Sequence, residues 1–212
     1  LKSVESRAVT SIGESAFEGC IGLTHFDFPS ATVIGDDAFK SCHALKSVES
    51  RAVTSIGDSA FEQCRRLKNF DFPSATVIGN SAFQGCNALS QYSALIIPDK
   101  VVSIGTKAFA PSTLFGLPGK IFYTSLTIGA SVRTVGEAAF EHAIYVENVT
   151  IRTTNVSFGE GNFDHCKKLT PSGVLLPKNA TRIEGFPKGL STFINDENGQ
   201  EVCIAGHGDT VV

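Results

Sequence analysis

Residues 1–44 and 45–88 are identical at 33 of 44 positions when laid side by side, and no other feature of the chain restricts its folding as much. LKSVESRAVTSIGESAF returns as LKSVESRAVTSIGDSAF, and FDFPSATVIGDDAF returns as FDFPSATVIGNSAF. Each block divides again into two 22-residue units, marked by Phe17, Phe39, Phe61 and Phe83. A fixed period of about 20–50 residues belongs to architectures in which one small unit cannot bury its apolar side alone, so that neighbours stack to create a continuous core. The same aliphatic-Gly-x-x-Ala-Phe signature continues as Ile104 to Phe109 and Val135 to Phe140, and more weakly as Phe158 to Phe163. RIEGF, Arg182 to Phe186, reads as a decayed last copy. The phenylalanine spacings widen to 26, 31 and 23 residues, so the later units carry insertions. The longest surrounds APSTLFGLPGKIFYTS, where Pro and Gly mark an irregular loop.

The residues of one unit assign its parts. In LTHFDFP, Leu23 to Pro29, alternation places Phe26 and Phe28 on the inward side of a short strand, which Pro29 ends. TVIG extends the chain again, and Gly35 relieves a tight bend. Ala38, Phe39, Cys42 and Leu45 then fall at i, i+1, i+4 and i+7, the apolar stripe of a short helical turn. Stacking such units predicts an α/β solenoid with a parallel β-sheet on one face and short helical turns opposite. At these positions the chain resembles the BspA-like, or treponemal-type, leucine-rich repeats, whose units read like LxxIxIPxxVTSIGxxAFxxCxx. The resemblance runs in consecutive register over about residues 1–186. We therefore expect residues 1–190 to form a leucine-rich repeat right-handed superhelix of about 22-residue units. Residues 191–212, STFINDENGQEVCIAGHGDTVV, depart from the pattern and are expected to be a C-terminal cap or edge segment that protects the end of the sheet.

Composition removes several function classes. Of the 212 residues, 42% are hydrophobic and 18% charged, an ordinary globular balance rather than a disordered one. A net charge of −3 gives no reason to expect nucleic acid or an anionic membrane as partner, since both reward clustered Lys and Arg. No apolar run approaches the ~18 residues of a membrane span, so no insertion is expected within this segment. The chain opens at Leu1 with no basic-then-apolar leader, and without an initiating Met that start is silent about compartment. Trp and Met are absent while Phe occurs 16 times, the bias of a repeated unit.

The residues that suggest chemistry fall into the repeat. In SIGESAFEGC, Ser15 follows Gly13 as in a nucleophile elbow, but the second glycine that the strained turn requires is replaced by Phe17. The equivalent position holds Asp37, Ser59, Ser81 and Lys107, so the serine reads as a residue opening the helical turn. Cys20, Cys42, Cys64, Cys86 and Cys166 each lie three residues after a repeat phenylalanine and read as a ladder of buried free thiols, too far apart for disulfides on the outer side of a curved solenoid. Cys203 stands alone in the tail. His25, His43, His142, His165 and His207 show no metal-ligating spacing and read as scattered surface residues. Asn148, Asn155 and Asn179 open N-x-S/T sequons, which carry meaning only in a eukaryotic secretory pathway. No catalytic, cofactor-binding or metal site is assigned, and the chain reads as non-enzymatic.

One feature is not absorbed. Between the inward positions of the strands, Ser3, His25, Ser47 and Asn69 form one outward column, and Glu5, Asp27, Glu49 and Asp71 form another. Four carboxylates stacked on neighbouring strands repel one another, so the column is either well solvated or faces a basic protein surface or Ca²⁺. Glu5, Asp27, Glu49, Asp71, His25 and Asn69 are the candidate partner-binding residues, together with loops around residues 89–95, 110–125 and 141–148. The family resemblance implies a secreted or cell-surface protein that binds other proteins, including host matrix or other cells, in adhesion. A spacer or self-association scaffold presenting another domain is the alternative, which the near-identity of the first units favours.

Overall fold

The computed structural model describes residues 1–91, 94–112, 123–177, 180, 182–185, 194–195 and 201–202. Part of the long insertion, residues 113–122, lies outside these, as do Asn179, Phe186, Cys203 and His207.

In chain order the strands are β1 (Ser3–Glu5), β2 (Ser11–Ile12), β3 (His25–Asp27), β4 (Val33–Ile34), β5 (Ser47–Glu49), β6 (Ser55–Ile56), β7 (Asn69–Asp71), β8 (Val77–Ile78), β9 (Ala94–Ile96), β10 (Ser103–Ile104), β11 (Ser125–Ile128), β12 (Thr134–Val135), β13 (Asn148–Ile151), β14 (Asn155–Phe158), β15 (Val174–Leu175) and β16 (Arg182–Glu184). The even-numbered strands join in one eight-stranded parallel sheet, and the odd-numbered ones form parallel ladders β1–β3, β5–β7 and β9–β11–β13–β15. The chain is thus a parallel β-solenoid, as the period predicts, but each rung carries two strands on two walls rather than one. TVIG and its equivalents supply the second wall. Ile12, Ile34, Ile56, Ile78, Ile104 and Val135 stand in register along it and are all buried.

The expected helical turns are not helices. Among the described residues the helical segments are two short 3-10 turns, Asn87–Gln91 and Pro171–Gly173. The reason lies in where the amides go. Ser15, Phe17 and Gly19 donate to the carbonyls of Asp36, Ala38 and Lys40 in the next rung, each at 2.8 Å. Only the intervening amides turn locally, Glu18 to the Ser15 carbonyl and Cys20 to the Phe17 carbonyl, both at 3.1 Å. An α-helix would need all of these amides for its own i to i−4 bonds. Two residues four apart in each of these turns instead adopt left-handed backbone, with φ of 51° at Ser15 and 66° at Gly19, and of 53° at Asp37 and 60° at Ser41. Ser15 is therefore not a helix-opening residue but a left-handed corner. Ala38, Phe39, Cys42 and Leu45 are nonetheless buried together, because this tight turn repeats inward at nearly the helical spacing.

Two ladders of side chains run through the stack. Phe17, Phe39, Phe61, Phe83, Phe109, Phe140 and Phe163 stack ring on ring, with centroids 5.1 Å apart at the first step and 6.0 Å at the last. The Cys42, Cys64 and Cys86 thiols are free and buried and donate to the carbonyls of Phe17, Phe39 and Phe61 at 3.1, 3.2 and 3.1 Å. Burial pushes Cys42 up to about 12. The repeat glycine serves close approach rather than a bend: a Cβ on Gly35 would sit 2.8 Å from the Glu14 amide nitrogen, and one on Gly159 would sit 2.6 Å from that of Glu137. Residues 141–148 are no insertion, since their turns and strand entry repeat those of residues 18–25. Beyond the last rung, strands β17 (Ile194–Asn195) and β18 (Glu201–Val202) pair antiparallel, with β17 beside β15.

Candidate functional site

The odd-numbered wall owes its outward columns to strand alternation. In β1, β3, β5 and β7 the middle residue, Val4, Phe26, Val48 or Phe70, turns toward the core while its two neighbours face out. Register then sets Glu5 opposite Asp27 and Ser3 opposite His25, and in the next ladder Glu49 opposite Asp71 and Ser47 opposite Asn69. Glu5, His25, Asp27, Glu49, Asn69 and Asp71 are all exposed. The structure therefore brings the six residues singled out in the sequence onto one face, in two paired groups. β3 and β5 lie side by side without sharing a ladder.

Charge on this face is of both signs. None of the four carboxylates takes part in an ion pair among the described residues. Lys2, Lys46 and Lys68 stand exposed just before the strands, and Arg7 and Arg51 just after them. This basic border follows the 44-residue duplication rather than every 22-residue unit, with Thr24 standing where a lysine would fall, and attention to the carboxylate column alone passes over it. Nor does any of the four belong to a cluster of three metal-ligating side chains among the described residues. The one group of three metal-ligating side chains among the described residues is Glu141, His142 and His165, elsewhere in the fold.

The acidic column ends at β7. In the following strands its register is taken over by Ile96, Thr127, Thr150 and Leu175, and Ile96 is 60% exposed. β7 and β9 belong to different ladders, and beside that break lies an open cleft of about 510 Å³. Phe70, Asp71, Ile96, Lys100 and Arg152 line it, and Arg152 also holds the Asp99 carboxylate at 3.1 Å. The 3-10 turn Asn87–Gln91, on the path of the 89–95 segment, occupies the extra chain between these rungs. One face thus offers a mixed-charge strip, an exposed aliphatic side chain and a concavity.

The histidines are not all scattered. His142 and His165 stack with ring centroids 4.3 Å apart and 8° from parallel, and Glu141 Oε1 lies 3.3 Å from His142 Nε2. Histidines 23 residues apart give no motif by themselves. The signal that finds them is repeat register: each stands two residues after its unit's phenylalanine, so adjacent rungs place them side by side.

The BspA type leucine rich repeat region is matched in six copies across residues 1–115 and 118–187. The chain belongs to the BspA-type leucine-rich repeat family. Solved structures similar to this BspA-type chain include a leucine rich repeat protein of T. pallidum, 24% identical, with a TM-score of 0.60 over 79% of this chain and 77% of that one. A leucine rich cell surface protein of Faecalibacterium prausnitzii A2-165 is 23% identical, with a TM-score of 0.49 over 91% of this chain and 69% of that one. A leucine-rich repeat protein of Bacteroides ovatus ATCC 8483 is 22% identical, with a TM-score of 0.46 over 83% of this chain and 55% of that one. The T. pallidum likeness speaks for a shared fold. Among curated proteins none matches. No helix among the described residues is long and apolar enough to cross a membrane.

Proposed function

We propose that this BspA-type chain is a non-enzymatic protein-binding module of a secreted or cell-surface protein, acting in adhesion through its odd-numbered strand wall. The observation that carries the proposal is the pairing of Glu5 with Asp27 and of Glu49 with Asp71, exposed and in register without an ion-pair partner among the described residues. Cross-strand like charges cost stability. A surface that keeps them offers selective attraction to a partner of complementary pattern, which steers encounter and rejects mismatched surfaces. The border of Lys2, Lys46, Lys68, Arg7 and Arg51 makes that partner a protein of mixed charge with a basic centre rather than a free cation. Ile96 and the cleft beside β7 supply the apolar anchor that a polar strip lacks. Placement outside the cell rests on the family habit.

The superhelix is taken as right-handed, the sense of nearly all crossovers between parallel strands. Residues 191–212 are taken as the cap of a solenoid spanning residues 1–190, a reading supported by the antiparallel pair β17–β18 beside β15.

The test is capture from a mixture of soluble extracellular-matrix proteins by immobilised wild-type chain and by the variant E5Q/D27N/E49Q/D71N. The variant should retain markedly less basic protein, and wild-type capture should weaken with salt. Equal capture by both would remove the acidic column from the contact surface.

A further inference from the structure

We propose that Glu141, His142 and His165 form a binding site for a zinc-class divalent ion that clips the last two full rungs together. One ligating atom from each residue lies within 4.8 Å of the others. Bond lengths of about 2.0–2.1 Å to imidazole nitrogen and carboxylate oxygen require neighbouring ligands about 3.3 Å apart in a tetrahedral shell. Glu141 Oε1 and His142 Nε2 already stand at 3.3 Å. The imidazoles stand nearly parallel and must tilt out of their stack to aim ring nitrogens at one ion. Zn²⁺ suits such a set: it takes two imidazoles and a carboxylate, imposes no geometry of its own, and leaves a fourth position to water.

Two departures from the repeat mark this place. His142 and His165 adopt left-handed backbone, with φ of 57° and 62°. The equivalent residues of the first four units are Gly19, Ser41, Gln63 and Gly85, and that of the fifth is Pro111. Imidazole rings thus stand in two successive rungs at a corner that the first four units fill with glycine, serine or glutamine. The stack is also loosest here. The Phe140 and Phe163 rings are 6.0 Å apart, the widest step of that ladder, and the Cys166 thiol reaches the Phe140 carbonyl only at 3.8 Å. A metal bridging His142 and His165 would join the same two rungs where ring stacking and the thiol contact are weakest, so binding energy would become folding energy.

The experiment is titration of the chelator-stripped chain with ZnCl₂, followed by calorimetry and by thermal unfolding. Glutamine at Gln63 shows that His142→Gln and His165→Gln are compatible with the corner, so both variants are expected to fold. The wild-type chain should bind one Zn²⁺ and melt at a higher temperature with it. In H142Q and H165Q affinity should fall by more than the roughly 10–100-fold that loss of an outer-shell partner costs. E141Q should weaken binding less than either histidine change. No saturable one-to-one binding by the wild-type chain would overturn the site, and so would binding that survives in the H142Q/H165Q double variant.

Discussion

At Gly79 a Cβ would lie 2.5 Å from the carbonyl carbon of Gly57 and 2.7 Å from the amide nitrogen of Asp58, so rung spacing itself excludes a side chain. At Gly13, in the first rung, the same Cβ meets nothing within 4 Å. Gly79→Ala should cost about 1–3 kcal/mol in urea unfolding, the range of core overpacking, while Gly13→Ala should be close to neutral. Equal effects would mean that the glycine is there for its dihedral angles and not for close approach. The sequence shows that a glycine recurs; it does not show why, because bends and close contacts select the same residue. The cysteines give a second residue-scale outcome. Burial pushes Cys42 and Cys166 up to about 12, whereas in the unfolded chain each ionises near its ordinary 9. The folded state therefore holds the proton more tightly. Its contribution is fully present below about pH 9 and is lost as pH rises toward 12. Unfolding midpoints should fall through that window, and less steeply in Cys42→Ala; a slope unchanged in that variant would contradict the assignment.

At the scale of elements, the strands and the inward residues were legible because alternation and burial follow directly from side-chain type. Phe26, Phe28, Ala38, Phe39, Cys42 and Leu45 are buried as their pattern predicts. The return limb reads as helical in the sequence because a turn that faces inward every third or fourth residue imitates a helix in periodicity. What separates the two is hydrogen-bond direction, and the amides of Ser15, Phe17 and Gly19 leave their own unit for the next one. That depends on the rung being in place, which no single unit encodes. The carboxylate pairs belong to this scale as well. Relieving two cross-strand like-charge pairs in E5Q/D27N/E49Q/D71N should raise stability by about 0.2–1 kcal/mol per pair, and added salt should narrow the difference between the two proteins. A less stable variant would mean that the flanking lysines and arginines already compensate the acids.

For the whole molecule, repetition decides which residues can be functional. A side chain that recurs in register along the stack serves the stack, as the phenylalanines of seven units and the cysteines of five do. One that breaks the period, such as His142, His165 or Ile96, or that faces solvent in register, such as Asp27, is available for something else. The candidate face was partly legible on this ground: its acids and the lysines and arginines beside them stand in the sequence, but the cleft beside β7 and the His142–His165 stack depend on which rungs adjoin. A binding module, as opposed to a self-associating scaffold, should remain monomeric by light scattering at high concentration; concentration-dependent growth in mass would favour the scaffold. Carboxylate footprinting tests most directly where the function resides. The chain is labelled with carbodiimide and an amine, free and in complex with a captured partner, and each site is read by mass spectrometry. Glu5, Asp27, Glu49 and Asp71 should lose labelling in the complex, while Glu14, Glu18 and Asp58, exposed elsewhere on the rungs, should label as in the free chain. Protection of Glu14, Glu18 and Asp58 with the four strand acids still labelled would contradict the account.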